Sequence, residues 1–476
     1  MNRYDLVVVG AGPAGATLAT VVALEGYRVL LLDRQASPRY KIGESLLPAT
    51  VRQLADVLGI RERIRNAGFV VKRGATFSWG IRPDDLWTMN FGRVAPGQRE
   101  LPPNAPTSFN VPRHEFDQMF LENAIERGVE VRERCTVTAV REQAGTVGGV
   151  RYEDERGVAH EVDARIVALA TGQGALSAQM GGTREYSTFF RKIGIFGYFE
   201  GAGRLQAPLD GNTFFETSDR AWLWHIPLSD RLTSIGAVVD AADAARVQRG
   251  ARQALAHYID QCPMVARMLS QATPCTTPPF DEVRTRSEYS YCQTRFWAPG
   301  IVRVGDAACF VDILLSSGVH LATYGALLAA RSVNAVLGGR LSEELAMNEF
   351  ETRLRLEYAL FYRGLLGLYD TGRDSQSYVE FLRRLLQNTN GVFIEWREQP
   401  RAIEPTIEAT SDLLARSRSN VESLRAYNTR QVRYGGGAGF DVDEPPPAIA
   451  HTFVASTDGR HWAAASPAGV AATVSR

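Results

Sequence analysis

Cysteine is scarce: the 476 residues contain five, Cys135, Cys262, Cys275, Cys292 and Cys309, widely scattered and with no C-x-x-C pair. That excludes a disulfide framework and thiolate zinc chemistry, calls for no metal, and fits a reducing compartment. Excess charge of either sign is also missing, since 53 basic side chains balance 53 acidic ones. A net charge of zero gives no reason to expect nucleic acid or an anionic membrane as partner. No apolar run approaches the roughly 20 residues of a membrane helix. The opening MNRYDLVVVGAG lacks the basic, apolar and small-residue order of a signal peptide. The expectation is a cytoplasmic protein with no membrane segment.

What is present is a globular composition, 45% hydrophobic and 22% charged, in a chain too long for one ordinary core. YDLVVVG reads as a buried strand, GAGPAGATLATVVALEG as a Gly-opened helix ending at Gly26, and YRVLLLD as a second strand. This βαβ unit implies a parallel sheet. Strand-like segments between residues 129 and 172, and again from about 184 to 240, add antiparallel structure, and helical spacing dominates from Ser342 to about Arg433. The predicted fold is α/β: a Rossmann-type core over 1–340 with an antiparallel substrate-side sheet inserted at about 184–285, a helical region over 341–434, and a flexible Gly/Pro/Ala-rich tail over 435–476.

Gly10, Gly12 and Gly15 form G-x-G-x-x-G between the first strand and its helix. The first glycine makes the tight turn, the second admits a pyrophosphate to the backbone, and the third lets helix and strand pack closely. The anion would sit on free N–H groups at the positive end of the helix dipole. Asp33 closes the second strand, where a carboxylate can accept from ribose hydroxyls.

That unit alone does not choose between FAD and NAD. VRVGDAACFVDILLSSGVHLA places Gly305 and Asp306 after a strand and before a long helix, which resembles the second flavin-contacting motif of the FAD-dependent aromatic hydroxylase superfamily. There the Asp contacts the ribityl chain or pyrophosphate, and Arg113 in VPRHEFDQMF matches that superfamily's basic residue.

Four segments narrow the resemblance: KIGESLLPAT, GFVVKRGATFSWG, WLWHIP and DILLSSGVHLATY. Together they look like the flavin-dependent halogenases, and more closely the branch acting on phenolic or pyrrolic building blocks, free or tethered to an acyl or peptidyl carrier protein. The resemblance implies that a separate flavin reductase supplies FADH2, which with O2 and chloride yields hypochlorous acid. The oxidant then travels to an electron-rich aromatic ring. Glu44 and Ser45 of the first segment join the implied cofactor residues. Lys72 is the implied catalytic residue, since a buried amine with a lowered pKa can polarise or capture hypochlorous acid. Ser317 and Gly318 are implied to hold chloride through backbone N–H groups at a turn beneath the flavin.

Three departures stand out. Leu315 occupies the position where tryptophan-type halogenases carry glutamate, Ile313 replaces the branch's proline, and ALATG (168–172) replaces a D-A-S/T-G turn. The proline loss implies that the local loop sits differently. Trp222 and Trp224, two of seven tryptophans, alternate along one short extended segment. Their rings therefore share a face about 7 Å apart, while Leu223 and His225 face away. They can be plain core, or, with Ile226 and Pro227, the wall that in this family keeps substrate from the flavin. Two other readings remain: an FAD-dependent aromatic monooxygenase, and a non-catalytic FAD-binding subunit.

Overall fold

The computed structural model describes residues 3–80, 86–92, 106–174, 176, 180–287, 289–378, 380–381, 407, 409–437, 440–449 and 452–465. Its first sheet is built around β1 (Arg3–Val9), flanked in parallel by β2 (Val29–Leu32) and β5 (Ala159–Leu169). Strand β10 (Ile301–Arg303) extends it beyond β5, again in parallel. A parallel strand is covered on both faces, which is why VLLL in β2 is buried at every residue. Helix α1 (Pro13–Ala23) starts with proline at its first position, where no N–H partner is lost.

The second sheet runs β6 (Lys192–Glu200), β9 (Leu232–Asp240), β8 (Ala221–Pro227), β7 (Thr213–Thr217) and β4 (Gly74–Ser78), with short strands at 87–90 and 273–274 on its edges. It is therefore not contained in 184–285. Strand β4, from far earlier in the chain, pairs in parallel with β7, matching Ala75 to Thr213 and Phe77 to Phe215. Strict alternation divides β8: Trp222, Trp224 and Ile226 enter the main core, and Leu223 enters a smaller core beneath the helix Ala251–Asp260. Trp224 lies opposite Gly236. A Cβ on Gly236 would come within 2.2 Å of the indole, so only glycine leaves the ring room.

Helix α3 (Ser317–Leu337) packs on α1, α4 (Glu343–Tyr369) packs along α3, and α5 (Ser411–Tyr434) packs on α4. One continuous apolar core spans the nucleotide half and these helices. The helical stretch expected beyond Tyr369 passes through 382–406, outside the described residues. The flexible tail needs correction as far as Ala465. Phe453–Ala455 and Trp462–Ala464 pair as an antiparallel hairpin. Trp462 is buried and donates its indole N–H to Ser332 Oγ at 2.9 Å. Composition suggested looseness, but one aromatic anchor and an ion-paired corner, His461 with Glu25 at 2.5 Å, hold the hairpin to α3 and the end of α1. With Asp458 those two form a group whose ligand atoms lie within 4.8 Å of one another. Arg460 and Arg340 also reach into it, so its charges are already met by the chain. No described helix is long and apolar enough to cross a membrane.

Candidate active site

The glycines of the first turn separate by what surrounds them. A Cβ on Gly10 (φ +109°) would lie 2.3 Å from the Ala170 carbonyl oxygen, and one on Gly15 would lie 1.8 Å from the Gly10 carbonyl oxygen. The chain itself demands both. Gly12 meets no backbone, and its nearest neighbour is the Arg39 guanidinium at 3.5 Å. The space before Gly12 is left for something other than protein. Helix α1 opens there with no side-chain cap and no acid in its first turn, so its N–H groups and dipole are available to an anion. These features fit a pyrophosphate.

Asp33 accepts from Ala11 N–H at 2.6 Å and Gln35 N–H at 2.8 Å, and pairs with Arg39. A carboxylate has about four acceptor sites, so capacity for ribose hydroxyls remains. Further along, Arg113 is clamped by Asp117 and donates to the Ile42 carbonyl at 2.7 Å. Gly43 (φ +104°) lies so close that a Cβ would meet the Arg113 guanidinium at 2.9 Å. Arg113 also lies within electrostatic reach of Asp306 and Glu44. Asp306, at the turn made by Gly305 (φ +63°), is pushed up to about 6 by burial against the pull of Arg113. Burial, then the neighbouring Arg39 and Arg113, lowers Lys41. The structure thus brings Gly12, Asp33, Arg113 and Asp306 to one cradle and adds Arg39 and Lys41. The basic cluster between the second strand and KIGES was their only sequence signal.

Glu44 and Ser45 face the second sheet. Glu44 accepts from Tyr198 O–H at 2.6 Å, and Tyr198 shares a 2.7 Å hydrogen bond with Tyr40. Burial pushes Glu44 up to about 7, against hydrogen bonds from Tyr198 and Ser234. Ser45 Oγ lies 2.8 Å from Thr213 Oγ1, tying the KIGES segment to β7.

Lys72 ends the short strand β3 (Val70–Lys72), which pairs with Ser108–Asn110. Its side chain points inward and is 2% exposed. Nζ donates to the Leu46 carbonyl at 3.1 Å and to Ser316 Oγ at 3.2 Å, and sits 5.1 Å from the centre of the Phe91 ring. Among the described residues no carboxylate pairs with it, and burial pushes its pKa down to about 7.

Ser316 and Leu315 adopt left-handed backbone, φ +59° and +66°. Two adjacent non-glycine residues in that region are strained, and surrounding contacts must hold them. Asp312 supplies these contacts: its Oδ1 accepts from Leu314 N–H at 2.9 Å, and its carbonyl accepts from Ser317 O–H at 3.2 Å. Ser317 and Gly318 are the first residues of α3 rather than a free turn. That helix opens without a side-chain cap or an acid in its first turn. Ile313 has φ −75°, a value proline also adopts. Exchanging the two residues therefore asks for no different φ there, contrary to the expected displacement. The ALATG turn lies against the Gly-rich turn, its Ala170 Cβ 3.2 Å from where a Gly15 Cβ would be.

The tryptophans lie on β8 of the second sheet. Trp222 and Trp224 have ring centres 6.0 Å apart, and Trp222 lies 6.1 Å from Trp79 and 5.8 Å from Phe215. Ile226 and Pro227 complete the buried strand. His225 points to the opposite face, its Nε2 2.9 Å from the Gly203 carbonyl oxygen, and burial pushes it down to about 4.

A dinucleotide cradle on a parallel sheet, set against a second, mixed sheet and accompanied by a buried amine, fits a flavoprotein oxidoreductase. Residues 5–102 and 95–385 match the tryptophan halogenase family, to which the chain belongs. It is 28% identical over 396 residues to a tryptophan 2-halogenase of Chondromyces crocatus, covering 82% of this chain and 73% of the relative. To a flavin-dependent halogenase of Armillaria mellea it is 31% identical over 395 residues, covering 79% of this chain and 73% of the relative. Among solved structures, the myxobacterial chondrochloren halogenase CndH, an FAD-dependent halogenase, superposes with a TM-score of 0.78 and 38% identity over 97% of this chain and all of that one. The protein is an FADH2-dependent halogenase, with FAD reduced by a separate reductase and chloride and O2 as co-substrates. When bound, reduced FAD would supply two of the electrons that O2 takes up while it oxidises chloride to hypochlorous acid, the second oxygen leaving as water.

Proposed function

We propose that this halogenase chlorinates an electron-rich phenolic or pyrrolic ring, with Lys72 as the residue that receives and aims the oxidant. The supporting observation is the company Lys72 keeps. Its amine meets a carbonyl, a hydroxyl and an aromatic ring, and no carboxylate among the described residues. Leu315 contributes none, and Asp312 is already engaged by Leu314 N–H and by the hydroxyls of Tyr369 and Tyr289. A ring intermediate here receives no help from a paired acid, which suits rings that stabilise positive charge themselves. Chloride is assigned to the uncapped N–H groups of Ser317 and Gly318, and the wall between ring and flavin to Trp222, Trp224 and Ile226, with Pro227 ending their strand on its other face. Five unpaired cysteines favour a reducing cytoplasm.

The test is incubation with FAD, a flavin reductase, NADH, O2 and chloride, offering phenols, pyrroles and tryptophan in parallel. The phenols and pyrroles are each supplied as the free acid and as the carrier-protein thioester. A chlorine isotope pattern on phenol or pyrrole and none on tryptophan is expected. Chlorotryptophan as the main product overturns the substrate class, and oxygen addition without chlorine would make the protein a monooxygenase. The thioester being consumed faster than the free acid is the result that supports a tethered substrate.

A further inference from the structure

The double-tryptophan wall is not free-standing. Trp222 donates its indole N–H to Tyr369 O at 2.8 Å, and Tyr369 O–H donates to Asp312 Oδ1 at 3.1 Å. The same Oδ1 accepts Leu314 N–H, inside the loop whose next two residues are left-handed. Tyr369 is the last residue of α4, 57 positions from Asp312 and 147 from Trp222. It therefore joins three separate parts of the fold: the substrate sheet, the loop before α3 and the C-terminal helices. Donors aligned in one direction along such a chain strengthen one another. Tyr289 approaches the other carboxylate oxygen at 3.4 Å, from a different side. At the far end of the loop, Ser316 Oγ accepts a hydrogen bond from Lys72 Nζ, and the N–H groups of Ser317 and Gly318 follow directly.

We infer that Tyr369 is a positioning residue: its hydroxyl ties the 312–318 loop, and with it Lys72 and the halide-facing N–H groups, to the tryptophan wall. Asp312 can hold Leu314 N–H only while its own orientation is fixed, and Tyr369 fixes Oδ1. Strained residues relax when a restraint is removed. Loss of this one hydroxyl is therefore felt at Ser316 and at the first turn of α3, although Tyr369 touches neither Lys72 nor the halide-facing backbone. The inference rests on the oxidant-aiming role proposed for Lys72 and on the halide position at α3.

Tyr369→Phe keeps the ring and removes the hydroxyl. In holoenzyme, KM for chloride should rise about tenfold, the weight of one buried hydrogen bond. FAD affinity, read by flavin fluorescence, should stay within about twofold. Trp222→Phe, which removes the donor together with part of the ring, should raise chloride KM in the same direction, and the double variant should be no worse in chloride KM than the worse single variant because both act on one chain. Unchanged chloride KM, or effects that add, overturn the inference and leave Tyr369 a packing residue. Acylation of Lys72 in FAD-free protein provides a readout independent of turnover. It should be about tenfold faster in Tyr369→Phe than in the native protein as the loop loosens over the amine. Equal rates overturn the inference even where no substrate is chlorinated, whereas a native protein that chlorinates nothing counts against the proposed function alone. Should Tyr369→Phe fail to fold, Trp222→Phe carries the same comparison.

Discussion

A buried lysine without a counter-ion has a measurable cost. With its pKa down at about 7, Lys72 of the folded protein gives up its proton well below the pH at which the unfolded chain does. Between those values the unfolded state binds more protons, so stability rises with pH across that window; below about 7 the folded protein must bury an ammonium. Lys72→Met should therefore abolish chlorination, leave FAD affinity intact and raise stability at neutral pH by about 1–2 kcal/mol. Chemical denaturation of the native and variant proteins at several pH values checks the sign, and a destabilised Lys72→Met would show the lysine to be structural. The glycines and the tryptophan pair were legible in the sequence from their own spacing, whereas Lys72 stood out only through the family resemblance of the segment around it. Ser316 and Asp312 sat inside a quoted segment, but their tasks depend on left-handed backbone that no residue type there announces. Tyr369 carried no signal at all, because what gives it meaning is two partners distant in the chain.

At the scale of elements, the turn between β1 and α1 and the pairing of β8 with β9 make opposite demands on glycine. Gly12→Ala should leave the FAD-free fold intact and weaken FAD binding, since only the ligand side is blocked. Gly15→Ala, with a Cβ 1.8 Å from a carbonyl oxygen, should cost more than about 3 kcal/mol before any ligand is added. Thermal melts with and without FAD separate the two. Gly236→Ala should displace the Trp224 ring, which lies 2.2 Å from where the Cβ would be, and so open the wall without touching the cradle. Its expected signature is a shifted tryptophan emission with FAD affinity preserved. The βαβ unit was readable from apolar runs and punctuation. The recruitment of β4 into the second sheet was not, because strand partners distant in sequence are chosen by packing rather than by local pattern.

For the whole molecule, the C-terminal hairpin shows how far one core extends. Trp462 lies against Arg331 and Arg353, with ring distances of 5.3 and 4.8 Å, and bonds to Ser332 on α3. Trp462→Ala should cost about 3–5 kcal/mol, as emptying a buried aromatic site does. A melt unchanged by it would return the tail to the loose state its composition suggested. A catalyst that makes hypochlorous acid also lives beside a reagent that attacks sulfur. All five cysteines are buried and unpaired. Burial pushes Cys292 up to about 11 and Cys262 up to about 12, away from the thiolate form that oxidants prefer. Stray oxidant leaving the active site therefore meets no exposed cysteine sulfur on the surface of the enzyme that made it.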